Sequence, residues 1–295
     1  MATYVIGDIH NSLKKFVEMI KLISPTMQDQ IILLGDIFDR GGAEPDPVGV
    51  YFRICWLNTN VKLIRGNHDH HLAKYIHTYY GTVPKRRSSL QPYRYNSFDL
   101  MKDRFTEVDM LNLADQIMAL PLQIEINIGA VKYLLAHAMT FDPMYGEQEE
   151  TMYLEGIAEM QKYWQYGIKG YVSLIGHRDS GYQYNNPYGS YLDDKLNSIW
   201  VNEPENVYMV DCGCGLPNGR LACICLETRE RFCAEITGLS YNSIDFLFNR
   251  KLSDIEIETL LGECENIHAD VACSGGYEEM RKIIKEKSEL HIWWD

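Results

Sequence analysis

The 295 residues suffice for one large domain or two small ones with a proper hydrophobic core, which excludes a mini-scaffold held together by staples. Hydrophobic residues make up 46% and charged residues 23%, close to the globular average, so disordered and collagen-like classes are excluded as well. With 28 basic against 41 acidic side chains the formal charge is -13, which argues against stable nucleic acid binding and adhesion to anionic membranes, so a polyanionic substrate must be held by local charge.

The N-terminus runs from Met1 to Ile6 straight into Gly7-Asp8 without a basic leader, and no apolar stretch approaches membrane-spanning length. Eight cysteines, bunched late in the chain, do not form a secreted disulfide framework. A cytoplasmic protein with reduced thiols is expected.

Taken in chain order, the first 70 residues repeat one pattern. Tyr4-Val5-Ile6 ends at Gly7-Asp8, and Asn11 or Ser12 can cap a helix with apolar Leu13, Phe16, Val17 and Ile20. Ile31 to Leu34 ends at Gly35-Asp36, and Asp46-Pro47 opens a second helix toward Trp56. Val61 to Ile64 ends at Gly66-Asn67-His68-Asp69. Strands alternating with helices imply right-handed crossovers and a mostly parallel sheet covered on both faces.

A helical stretch over 97–118 precedes a hairpin of 121–126 and 131–136. Apolar runs at 171–175, 207–210, 221–226 and 231–236 predict a second, more antiparallel sheet. The fold class is therefore α/β, a sandwich of two sheets with outer helices. Residues 1–239 are expected to form the main domain and 240–295 a helical C-terminal extension packed on it.

Each strand of the first half delivers metal-ligand residue types at its carboxyl end, where open α/β sheets place ligands. These are Asp8 and His10, Asp36, Asn67 and His68, then His137 and His177 behind later strands. One Asp-x-His is an ordinary loop. Five such blocks, each directly behind a buried strand, point to one shared site.

These blocks resemble the calcineurin-like metallophosphoesterases. The motifs are Gly7-Asp8-Ile9-His10, Gly35-Asp36-Ile37-Phe38-Asp39-Arg40-Gly41, Arg65-Gly66-Asn67-His68-Asp69, His137-Ala138 and Gly176-His177. Asp39-Arg40-Gly41 is similar to the bacterial and phage branch of the serine/threonine phosphoprotein phosphatases, and the resemblance extends over residues 1–236. It implies an α/β/β/α layered fold and two divalent ions, Mn or Fe with Zn as an alternative, in keeping with mixed oxygen and imidazole ligands. In the implied scheme Asp8 and His10 bind the first ion, Asp36 bridges, and Asn67, His137 and His177 complete the second. A metal-bridging hydroxide then attacks a phosphomonoester. His68 would protonate the leaving group with Asp69 holding its other ring nitrogen, and Arg40 would grip the phosphate.

The sequence departs from that branch in three places. Asn11 replaces a glycine, Asp69 replaces a glutamate, and residues 138–176 contain no second phosphate-binding arginine. Arg178 is the nearest replacement, and Asp179 is either a carboxylate ligand or plain loop. The basic cluster Lys85-Arg86-Arg87 with Arg94, interleaved with tyrosines, and the aromatic stretch Gly181 to Tyr191 flank the site. Cys212, Cys214, Cys223 and Cys225 could close a zinc site but fit better as small core residues of the closing hairpin. Trp293-Trp294 is read as docking on the body of the chain.

A phosphorylated protein is the leading substrate. The alternatives are a nucleotide or dinucleoside polyphosphate hydrolase, a phosphodiesterase, and a noncatalytic module that keeps the metal site as scaffold.

Overall fold

The computed structural model describes residues 1–157, 160–193, 197–216, 219–234, 243–247, 257, 285 and 289–293. The chain divides into two units, 1–235 and 236–295. In the first unit β1 (Thr3–Ile6), β2 (Gln30–Leu33) and β3 (Asn60–Leu63) pair in parallel. The crossovers are α1 (Leu13–Ile23) and α2 (Pro47–Cys55). Helix α1 is amphipathic at the spacing the sequence predicts, burying Leu13, Phe16, Val17 and Ile20. At α2 the Asp46 carboxylate accepts the Gly49 N–H at 2.9 Å and proline occupies the first turn, which fixes where the helix starts.

Helix α3 (Asn67–Gly81) follows β3 directly, then come the short α4 (Pro84–Arg87) and α5 (Ser97–Met101), and α6 (Glu107–Met118). The stretch 97–118 is thus two helices. Thr106 starts the second with a reciprocal box, its hydroxyl and backbone N–H exchanging bonds with Asp109.

The hairpin of β4 (Gln123–Ile128) and β5 (Val131–Ala136) begins a second sheet, joined by β6 (Val172–Ile175), β7 (Gly189–Tyr191), β8 (Trp200–Asn202) and β9 (Val207–Met209). Short helices α7 (Glu150–Glu155) and α8 (Gln161–Tyr166) lie between β5 and β6. The order is β4-β5-β6-β9-β8-β7, with β5, β6 and β9 parallel and the other pairs antiparallel.

One expectation is corrected here. Strands β10 (Leu221–Cys225) and β11 (Arg231–Ala234) belong to the first sheet, where β10 pairs antiparallel with β1 and β11 forms the edge. The pairing Ile6↔Cys223 joins residues far apart in sequence, which no local pattern reveals.

The main core lies between the sheets. Val5, Ile32, Leu34, Ala222 and Ile224 of the first face Tyr133, Leu135, Leu174, Val201 and Tyr208 of the second. Strand β10 is buried throughout, so Cys223 and Cys225 take the face opposite Ala222 and Ile224. Among the described residues no cysteine joins a metal-ligating group.

In the second unit β12 (Ser243–Leu247) and β13 (Glu289–Trp293) pair antiparallel, Ser243 opposite Trp293. Within the extension read as helical, these two segments are strands, in keeping with their β-branched and aromatic residues. Of the two terminal tryptophans read as docking on the body, Trp294 lies outside the described residues. No helix among the described residues is long and apolar enough to cross a membrane.

Candidate metal centre

The two sheets turn the carboxyl ends of β1, β2, β3, β5 and β6 to one edge. Asp8 and His10 follow β1, Asp36 follows β2, Asn67 and His68 open α3 behind β3, and His137 and His177 follow β5 and β6. Of nine left-handed non-glycine residues among the described ones, six lie here: His10, Asn11, Asp36, Asp39, Arg40 and His177. Such conformations cost about 1 kcal/mol or more each and persist where the surroundings impose them.

Asp8, His10 and Asp36 are buried, with donor atoms all within 4.8 Å of one another. His10 Nε2 is 4.0 Å from Asp8 Oδ2 and 3.7 Å from Asp36 Oδ2. On the other side of Asp36, His137 Nε2 lies 3.3 Å from Oδ1. Asn67 Oδ1 is 2.9 Å from His137 Nε2 and 3.3 Å from His177 Nδ1. The ring nitrogens are sorted by their outer bonds. His10 Nδ1–H donates to the Phe38 carbonyl at 3.1 Å and His137 Nδ1–H to the Leu34 carbonyl at 2.9 Å, which turns each Nε2 inward.

Burial and the charge of Asp211 push the Asp8 carboxyl well up. Burial alone would raise Asp36 too, but the His137 charge holds it well below the carboxylate range. Burial lowers His10 to about 4 and His177 to about 3. Burial also opposes charge on His137, yet Asp36 and Asp8 outweigh it and hold the imidazole at about 10. Oxygen and imidazole donors converging on a crowded, buried carboxylate pair fit divalent cations in two adjoining places.

His68 is buried beside them, but its ring partner corrects the expectation. Its Nδ1–H donates to Asp39 Oδ2 at 3.1 Å. The Asp69 carboxylate instead accepts the N–H groups of Ile37 at 2.9 Å, Phe38 at 3.2 Å and Gly66 at 3.2 Å, clamping the loop behind Asp36 to the start of α3. Asp69 sits three residues into the site's helix, where a carboxylate reaches back to free N–H groups rather than outward.

Arg40 spans the mouth, with one Nη 3.3 Å from His10 Nε2 and the other 3.3 Å from His68 Nε2. Arg178 is exposed next to His177. Asp179 accepts the Gly181 N–H at 2.8 Å as the cap of a short turn and is absent from the metal-ligating group. In the basic cluster Arg87 is committed to structure, bonding Thr82 O at 3.0 Å and Glu107 at 3.3 Å, while Arg94 lies over the Tyr95 ring. The aromatic stretch after His177 is partly strand, β7, with Tyr182 and Tyr184 exposed. Sequence reasoning missed Asp39 as the ring partner, and with it Tyr93 and Ser97, which also bond Asp39. The available signal was Asp39 standing beside Arg40 inside the second motif.

The family model described as calcineurin-like phosphoesterase matches residues 1–211. The symmetrical bis(5'-nucleosyl)-tetraphosphatase of Nitrosomonas europaea is 38% identical over 73 residues, which is 24% of this chain and 26% of the relative. That of Acidovorax ebreus is 30% identical over 156 residues, 52% of this chain and 49% of the relative. The chain thus spans a quarter to a half of the length of these curated relatives. A solved protein serine/threonine phosphatase from Saccharomyces cerevisiae superposes with a TM-score of 0.52 at 14% identity over 81% of both chains, a likeness of fold.

Proposed function

Because this chain belongs to the calcineurin-like phosphoesterase family, we propose that it hydrolyses phosphoric esters or anhydrides at a pair of divalent cations. Asp8, His10 and Asp36 would hold one and Asn67, His137 and His177 the other, with Mn or Fe, or else Zn, as the metal. When bound, such a pair supplies neutralising charge for phosphoryl oxygens and a water acidified toward neutral pH. The observation that carries the proposal is the place of Asp36 between the two ligand sets, Oδ2 toward His10 at 3.7 Å and Oδ1 toward His137 at 3.3 Å.

The chain's own groups do the rest. Asp39 accepts the His68 Nδ1–H, and a carboxylate can only accept, so Nδ1 carries a hydrogen and Nε2 is the atom that holds a proton for the leaving oxygen. Arg40 presents a planar fork of donors with no ion pair among the described residues, suited to the phosphoryl oxygens that do not transfer.

For the substrate we favour a nucleoside polyphosphate. The curated relatives carry that activity in their names, and residues 138–176 lack the second arginine of the phosphoprotein branch. A phosphoprotein is the second reading, carried by Asp39-Arg40-Gly41. The test is turnover by the metal-loaded chain of a bis(5'-nucleosyl) tetraphosphate, phosphoserine peptides and an aryl phosphate. The expected result is a kcat/KM on the tetraphosphate at least about tenfold above the peptides, or about 1.4 kcal/mol of preferential transition-state binding. A preference for peptides would move the substrate class. Full metal stoichiometry without turnover of any phosphoester would leave only a scaffold.

A further inference from the structure

The Asp39 carboxylate is fully buried and takes three donors from separate segments. Oδ2 accepts the His68 Nδ1–H at 3.1 Å and the Tyr93 hydroxyl at 2.6 Å, and Oδ1 accepts the Ser97 N–H at 3.2 Å. The Asp39 N–H donates to Ser97 Oγ at 2.6 Å, and Asn11 Nδ2 donates to the same oxygen at 2.9 Å, which fixes the hydroxyl. Tyr93 is itself held: its ring centroid lies 5.0 Å from Tyr75, 5.8 Å from Tyr95 and 6.5 Å from Phe98. The Tyr95 ring in turn stands 4.3 Å from the His68 ring.

We infer that Tyr93 is a positioning residue for His68, acting through Asp39. The inference rests on the proposed role of His68 as the proton donor to the leaving group. A carboxylate bonded to one partner can turn about its Cβ–Cγ bond, and the imidazole it holds turns with it. Three donors on two oxygens fix its plane. The Tyr93 hydroxyl shares Oδ2 with His68, so it sets the direction from which that oxygen meets Nδ1. Burial, and then the Asp39 charge, push the Tyr93 phenol upward, so it remains a donor throughout the working range. Removing the hydroxyl would leave Oδ2 with His68 alone and loosen the ring without touching any proposed metal ligand.

The test is a mutant cycle on the full, metal-loaded chain. Tyr93→Phe, His68→Asn and the double variant are assayed on 4-nitrophenyl phosphate, whose leaving group needs little protonation, and on phenyl phosphate, whose leaving group needs more. Metal content and melting temperature are followed in parallel. Tyr93→Phe is expected to lower kcat on phenyl phosphate about tenfold and on 4-nitrophenyl phosphate no more than about twofold, with KM and metal content unchanged. In the His68→Asn background the same change should alter kcat by less than about twofold, because residues acting as a unit are non-additive. Equal losses in both backgrounds, equal losses on both substrates, or no loss would overturn the role of Tyr93. A His68→Asn variant with wild-type kcat on both substrates would instead remove the general acid, and the inference with it, so the two failures are told apart by that single variant.

Discussion

A metal ligand needs a lone pair, and the surroundings of His137 favour a proton there instead. Held at about 10 by Asp36 and Asp8 against the pull of burial, its Nε2–H is directed at Asn67 Oδ1 and Asp36 Oδ1, 2.9 and 3.3 Å away. Since the folded value lies above that of the unfolded imidazole, this group stabilises the metal-free chain below about pH 6.5, and the contribution is lost as pH rises toward 10. Metal binding must displace the proton. Manganese added to stripped protein at pH 8 should therefore release at least one proton per centre, measured by calorimetry in buffers of different ionisation enthalpy. Binding without proton release would show that His137 is already neutral. Proximity in sequence misled at the same scale. Asp69 adjoins His68, yet it caps the loop and helix behind the site, while Asp39 from the preceding motif meets the ring. Which of two nearby carboxylates meets a ring depends on backbone direction, and Asp39 owes its own to a left-handed φ of 67°.

The elements were legible wherever their cause was local. Three strand-to-helix units, the Asp46 cap and the β4–β5 hairpin all follow from periodicity and turn chemistry. The placement of β10 and β11 did not, because partner choice across a sheet is non-local. Strand β7 was hidden because Gly189 and the surrounding asparagines, proline and tyrosines read as loop, and β8 because it is only three residues long. What the strands do for the site is bring backbone unusually close to the ligands. A Cβ added at Gly176, between β6 and His177, would stand 2.1 Å from Asp8 Oδ1, and one at Gly66 would stand 2.2 Å from Asp36 Oδ1. Gly176→Ala should cost about 1–3 kcal/mol of stability through overpacking. It should also weaken metal binding at least about tenfold, a loss of about 1.4 kcal/mol, because the first thing the methyl displaces is a ligand. Melting curves and metal affinity together check this, and a variant with wild-type affinity would mean that Asp8 is not needed there.

At the scale of the molecule, a chain of formal charge -13 is built around a site for anions. The exposed arginines Arg40, Arg94 and Arg178 make no ion pair among the described residues, whereas Arg65, Arg104 and Arg220 are each paired with an acid. Local positive charge, completed by the metals, is what would draw a phosphate against the overall field. The family match ends at residue 211, yet β10 beyond it pairs with β1, the strand that Asp8 and His10 follow, so the closing strands support the site even though they contribute no ligand. All of this depends on the paired cations that Asp36 would share. The most direct measurement is a manganese titration of the stripped chain, with turnover of the preferred phosphoester followed alongside, for wild type and Asp36→Asn. The expected result is no turnover without metal, two equivalents bound as activity appears, and loss of both binding events in Asp36→Asn. Turnover that survives stripping, or an Asp36→Asn chain that still binds two equivalents and works, would contradict it.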